Sequence, residues 1–204
     1  MKLFVITPEA LDPREPAVLA ALFAAGLERA HLRKPTASRA DLAGYLRALP
    51  AEFLARIVLH QHHDLVAEFP LGGRHWRDDS HAPLVPPSGC GLTSRSCHDL
   101  ATLRAALGRY DSVFLGPVFS SISKPGHAPR AALSAEKIAS LLATRSATET
   151  HTTVIALGGV AAENLPRCRD LGFDGVAVLG AIWQNSDPVR AFAQLHFSLA
   201  RHAA

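Results

Sequence analysis

The sequence predicts a single (β/α)8 TIM barrel of the α/β class, on three observations. Eight short apolar runs recur along the 204 residues, one in about 25, a tight but sufficient spacing for a strand, a turn and a brief helix. The runs are almost continuously apolar instead of alternating, as parallel strands covered on both faces are. Between them, apolar residues fall three and four apart, the helical period. An open doubly wound sheet is the alternative architecture for the same alternation.

The elements follow in order. Candidate strands run from Lys2 to Thr7, Arg29 to Arg33, Ile57 to His60, Gly73 to Trp76, Gly89 to Thr93, Ser112 to Leu115, Val154 to Leu157 and Gly175 to Leu179. Leu42, Tyr45, Leu46 and Leu49 mark the apolar face of a helix after the second strand. After the third strand the helix is cut short, because Phe69, Pro70, Leu71 and Gly72 break it just beyond Ala67. Leu100, Leu103 and Leu107 mark another helix, as do Ile138, Leu141 and Leu142, and a further helix begins near Ala162. Thr144 to Thr153 is rich in Ser and Thr and reads as a short mobile loop, too brief to divide the chain. Residues 1–204 are therefore expected to form one domain.

A hydrophobic fraction of 48% with 19% charged residues excludes a disordered or fibrous chain. A net charge of +3 spread along the chain lacks the clustered basic face that nucleic acid requires. No apolar run reaches the ~20 residues of a membrane span, and the segment MKLFVITPEALDPRE lacks the apolar core of a signal peptide. A cytoplasmic protein is expected. Cys90, Cys97 and Cys168 are odd in number and widely spaced, which points to buried reduced thiols.

In a barrel of this kind the chemistry lies in the loops that follow the strands. Here those positions carry His31, Arg33 and Lys34; His60, Gln61, His62 and His63; His75, Arg77, Asp78 and Asp79; Arg95, Ser96 and His98. Gly158 and Gly159 follow the seventh strand and Gly180 follows the eighth. Glycines at those two strand ends let backbone N–H groups approach an anion, so a phosphate-bearing ligand is expected there; tight turns are the alternative use. After the sixth strand, Gly116-Pro117 opens a hydroxyl-rich loop with Ser121, Ser123, Lys124 and Gly126. Hydroxyls and one compact cation suit a polyanionic group, although a solvated loop has the same composition.

That loop, GPVFSSISKPG, resembles the Gly-Pro-x-Phe-x-Thr-x-Thr-Lys loop of the thiamine phosphate synthase and TenI-like superfamily, with Ser121 and Ser123 in place of both Thr. The resemblance covers nearly the whole chain. HLRKP falls at the family's Gln-x-Arg-x-Lys motif, VLHQHHDL at its Asn-Asp strand end and GRHW at its Gly-Val-His-Leu element. Arg95-Ser96-Cys97-His98 resembles its Ser-x-His turn, while IALGGV with Asn164 and GVAVLGAI match its two phosphate elements. The resemblance implies a barrel, often a homodimer, that joins hydroxymethylpyrimidine diphosphate to thiazole phosphate and releases pyrophosphate. It implies catalytic roles for Arg33, Ser96, His98 and Lys124. It also implies substrate contacts from His31, Lys34, His60, Gln61, His75, Ser121, Ser123, Gly126, Gly158, Gly159 and Gly180.

The departures bear on chemistry. Pro35 stands at the family's Lys, with Lys34 beside it, and His31 stands at its Gln. His60-Gln61 replaces the Asn-Asp pair, and the second acidic position aligns with Ser80, next to Asp78 and Asp79. Mg²⁺ takes hard oxygen ligands, usually one or two carboxylates plus phosphates. Asp78 or Asp79 would hold it after a shift of a residue or two, or Arg33, Arg77 and Lys124 would partly replace it. A TenI-like thiazole tautomerase needs no such metal, but its His after the strand-six Gly is Pro117 here, so His98 or His31 would move the proton. A third possibility is a homologue that binds phosphate ligands without turnover.

His31, His60, His62, His63, His75 and His98 place six imidazoles near one face. On an extended strand His60 and His62 point the same way, a spacing that suits Zn²⁺. The alternative is that His60 lines the barrel while His62 and His63 cap the next helix. Arg33, Lys34, Arg77, Arg95 and Lys124 are expected to converge at one barrel mouth.

Overall fold

A computed structural model describes residues 1–79, 82–89, 91–120 and 133–201. Its strands are β1 (Lys2–Ile6), β2 (Arg29–Leu32), β3 (Ile57–Leu59), β4 (Gly73–Trp76), β5 (Leu92–Cys97), β6 (Ser112–Leu115), β7 (Thr153–Leu157) and β8 (Gly175–Val178). All pair in parallel in chain order, and β8 closes on β1 with Leu3 opposite Val176. The expected barrel is the observed one.

The helices are α1 (Glu15–Ala24), α2 (Arg39–Arg47), α3 (Leu100–Ala106), α4 (Ala135–Ala143), α5 (Leu165–Asp170), α6 (Gly180–Trp183) and α7 (Pro188–Arg201). Local chemistry starts several of them. Ser38 and Asp41 form a reciprocal capping box on α2, Asp99 accepts the Thr102 N–H at the head of α3, and Ser134 accepts that of Lys137 on α4. Two expectations change. The third strand is followed by a 3₁₀ segment, His63–Ala67, and no helix lies between β4 and β5 among the described residues. The segment between α4 and β7 is no loose loop either: Arg145 binds Asp174 at 2.8 Å, and Thr152 is fully buried with its hydroxyl on the Tyr110 carbonyl.

Pleating sorts the core into two shells. Leu3, Val5, Leu32, Leu59, Val113 and Val154 point outward and pack beneath the helices. Phe4, Ile6, Phe114, Ile155 and Ala177 point inward and fill the barrel. The fifth strand is Leu92–Cys97, not Gly89 to Thr93, because Ser94 and Ser96 face the interior and pair with His75, so their polarity hides a strand. Cys97 and Cys168 are free and buried, and burial pushes their thiols up to about 12 and about 11; Cys90 lies outside the described residues. Among the described residues no helix is long and apolar enough to cross a membrane.

Candidate active site

A cavity of about 340 Å³ opens at the C-terminal ends of the strands. Ile6, Phe114, Leu157, Ala177 and Leu179 form apolar walls, and Arg33, His60, His75, Arg77, Asp78, Ser96 and His98 supply polar groups. Gly116, Gly158, Gly159 and Gly180 lie on its rim. Most of the expected site residues therefore converge. The apolar wall was not singled out from the sequence, although the inward period of each strand marks it.

Gly158 and Gly159 have φ of +91° and +64°. A Cβ on Gly159 would lie 2.1 Å from the Ser120 carbonyl oxygen, and one on Gly158 would lie 2.8 Å from Pro117. The start of the β6 loop runs alongside, with the Val118 N–H on the Leu157 carbonyl at 2.9 Å and the Phe119 N–H on that of Gly158 at 3.1 Å. These glycines thus allow the β6 loop to approach as well as baring the rim backbone. Asn164 fixes the turn, donating to the Gly159 carbonyl and accepting from the Ala161 N–H. Ser121, Ser123, Lys124 and Gly126 lie outside the described residues.

Four expected contacts are corrected. Lys34 is fully buried: its ammonium meets Glu15 at 2.5 Å and the carbonyls of Pro8 and Ala10 at 2.7 and 2.8 Å, all three protons used. It alternates with Arg33 along the chain and so faces away from the cavity that Arg33 lines. Arg95 points out of the barrel by the same period, against Asp78 at 3.1 Å, and does not line the cavity. Gln61 donates to the Lys34 carbonyl, tying two loops together instead of facing the cavity. His31 is 1% exposed and sits below the cavity among Phe4 and Phe114.

The histidines separate into two groups. His62 Nε2 donates to the Ala37 carbonyl, and His63 Nε2 to those of Leu59 and His75, so His62 stands at the N-cap of the 3₁₀ segment without a side-chain capping bond and is not beside His60 in a metal site. His31, His60 and His75 instead meet inside the barrel from three neighbouring strand ends, and His60 does line the interior. His31 Nδ1 stands 3.1 Å from His60 Nε2, and His75 has Ser94 and Ser96 hydroxyls at 2.8 Å on its two nitrogens. Burial drives all three pKa values down, His31 to about 3, so the cluster is neutral at pH 7. His98 Nδ1 lies 2.7 Å from the Gly116 carbonyl, which only accepts; the proton is therefore on Nδ1 and the basic nitrogen is Nε2.

The carboxylates do not fit Mg²⁺. Every Asp and Glu is among the described residues, and Asp78 alone lines the cavity. Both its oxygens are occupied, Oδ1 by Arg95 and Oδ2 by the His98 N–H at 3.0 Å. Asp79 is exposed and off the cavity, and Gln61 and Ser80 hold the positions where the resemblance places acids. A hard dication wants free oxygen ligands, and this mouth presents guanidinium and imidazole nitrogens.

The sequence profile described as thiamine monophosphate synthase matches residues 3–182. The chain is 31% identical over 196 residues to a thiamine-phosphate synthase from Alcanivorax borkumensis, covering 91% of this chain and 86% of that one. It is 28% identical to a thiamine-phosphate synthase from Methylobacillus flagellatus, covering 95% and 93%. A solved thiamine phosphate pyrophosphorylase from Bacteroides thetaiotaomicron superposes with a TM-score of 0.80 over 98% of both chains at 29% identity. A pyrophosphorylase from Pyrococcus furiosus, at 19% identity and a TM-score of 0.79, shares the fold. With a closed barrel, a cavity at its C-terminal mouth and a profile spanning nearly all of it, the chain belongs to the thiamine monophosphate synthase family.

Proposed function

We propose that the chain is a thiamine phosphate synthase-like transferase that joins hydroxymethylpyrimidine diphosphate to thiazole phosphate and releases pyrophosphate. One observation carries this reading: the cavity sets apolar walls between a glycine rim and two arginines, Arg33 and Arg77, a match for an aromatic heterocycle bearing phosphate. The thiazole phosphate is assigned to the backbone of Gly158, Gly159 and Gly180, and the family resemblance adds Ser121, Ser123, Lys124 and Gly126 as contacts to it. The diphosphate is assigned to Arg33, Arg77 and Ser96. The bond between the pyrimidine methylene carbon and the diphosphate oxygen breaks, the diphosphate leaves with the electron pair, and the thiazole nitrogen closes on the cationic carbon. Such a step asks the protein to stabilise departing negative charge, to align two reactants and to keep water from the cation.

A TenI-like thiazole tautomerase is the second reading, favoured by His98, whose basic Nε2 is set by the Gly116 carbonyl beside the cavity. Purified protein given both substrates and Mg²⁺ decides between them: pyrophosphate release supports the synthase, and its absence rejects it. Proton exchange on the thiazole carboxylate phosphate supports the tautomerase. Neither activity, with ligand still bound, leaves a binding homologue. A cytoplasmic location and a homodimer are part of the proposal, and light scattering of the purified chain tests the dimer.

A further inference from the structure

We propose that His31, His60 and His75 bind one divalent transition-metal ion, Zn²⁺ by preference, on the floor of the cavity. One nitrogen of each ring lies within 4.8 Å of the others. Zn–N bonds of about 2.05 Å at tetrahedral angles place ligating nitrogens about 3.3 Å apart and ring centres about 5 Å apart. His31 Nδ1 and His60 Nε2 are 3.1 Å apart, and the His31 ring centre is 5.3 Å from that of His60 and 5.4 Å from that of His75. Two of the three ring pairs already have the spacing of a three-histidine site. The third pair, His60 and His75, is stacked at 4.0 Å and opens by about 1 Å to share an ion.

Ligation through His31 Nδ1 leaves the ring's proton on Nε2, which is buried with no hydrogen-bond partner among the described residues. His75 is supported from behind as a metal-binding imidazole is. Ser94 Oγ donates to the Arg74 carbonyl at 3.4 Å, which leaves its lone pair for a proton on His75 Nδ1. That places the His75 lone pair on Nε2, next to the Ser96 hydroxyl at the cavity wall. Neutral imidazoles suit Zn²⁺, Co²⁺, Ni²⁺ and Cu²⁺ and not the hard Mg²⁺. With three protein ligands, the fourth position faces the cavity, where water or a phosphate oxygen takes it.

The test needs no substrate. Chelator-treated protein is titrated with Co²⁺ and watched for the visible absorption of a nitrogen-ligated ion, which one equivalent of Zn²⁺ then abolishes. His60→Gln and His75→Gln are each expected to weaken Zn²⁺ binding by about a hundredfold or more, while His62→Gln leaves it unchanged. Should a variant fail to fold, X-ray absorption of the zinc-loaded wild type decides, with three imidazole ligands expected. No cobalt band at saturating Co²⁺, a band that survives both cavity variants, or a zinc shell without imidazoles overturns the proposal. Since the readout is metal binding alone, its failure is separate from failure of the transferase reading.

Discussion

Replacing Lys34 by Met tests whether that lysine is part of the fold or part of the ligand site. Its ammonium is fully buried and meets Glu15 at 2.5 Å, and the other Glu15 oxygen accepts the Tyr45 hydroxyl at 2.6 Å. Methionine keeps the apolar stem but leaves a buried carboxylate without its cation. Breaking a buried pair in this way costs about 3–5 kcal/mol. Burial already raises the Glu15 pKa against the pull of Lys34 and Tyr45, and without the lysine it rises further. A carboxyl whose folded pKa exceeds its unfolded value is most favourable when protonated, so the deficit is present at pH 8 and shrinks by about 1 kcal/mol or more at pH 5. Urea unfolding of wild type, Lys34→Met and Lys34→Met/Glu15→Gln at both pH values measures this. The double variant, having no orphan charge, is expected to recover most of the loss at pH 8. A single variant within about 1 kcal/mol of wild type that has lost its affinity for phosphorylated ligand would refute the structural role.

Other perturbations follow from the same geometry. His31 titrates near 3 when folded and near 6.5 when unfolded, so protons favour the unfolded chain between those values. Lowering the pH to 5 in the presence of chelator is expected to cost about 2 kcal/mol through His31, an increment absent in His31→Phe; parallel stability curves would contradict it. Gly159→Ala places a Cβ at 2.1 Å from the Ser120 oxygen at a φ of +64°, and is expected to lose about 2 kcal/mol or more and to displace the β6 loop, read by thermal melting and loss of thiazole phosphate affinity. Asp78→Asn removes the charge beside Arg95 and is expected to cost about 1–3 kcal/mol without altering any response to Mg²⁺; a lost Mg²⁺ response would make Asp78 a metal ligand after all. Lys124→Ala is expected to weaken thiazole phosphate binding, measured by calorimetry, and an unchanged affinity would remove the β6 loop from the site.

The barrel was legible because parallel strands buried on both faces must be apolar along their length, and the runs at Lys2, Ser112 and Gly175 say so directly. The fifth strand was misplaced because Ser94 and Ser96 are polar for a reason that lies on another strand, His75. The strand-end motifs brought Arg33, Ser96, His98, Gly158 and Gly180 to the right face, since chain order alone puts them at the C-terminal mouth.

Which of them face the ligand is a matter of period and partner. Arg33 and Lys34 are adjacent in the chain and opposite in space, and only the packing of Glu15 and Tyr45 assigns the lysine to the fold. Likewise the pair His60 and His62, two apart on paper, is parted when the chain turns at His62 with a φ of +51°. The cluster that does form draws one histidine from each of three strand ends. Local sequence therefore determined the barrel and the face that carries its chemistry, because hydrophobic period and chain order are local. The tertiary structure alone decided which cations and imidazoles share a cavity, because that depends on registers between strands far apart in the chain.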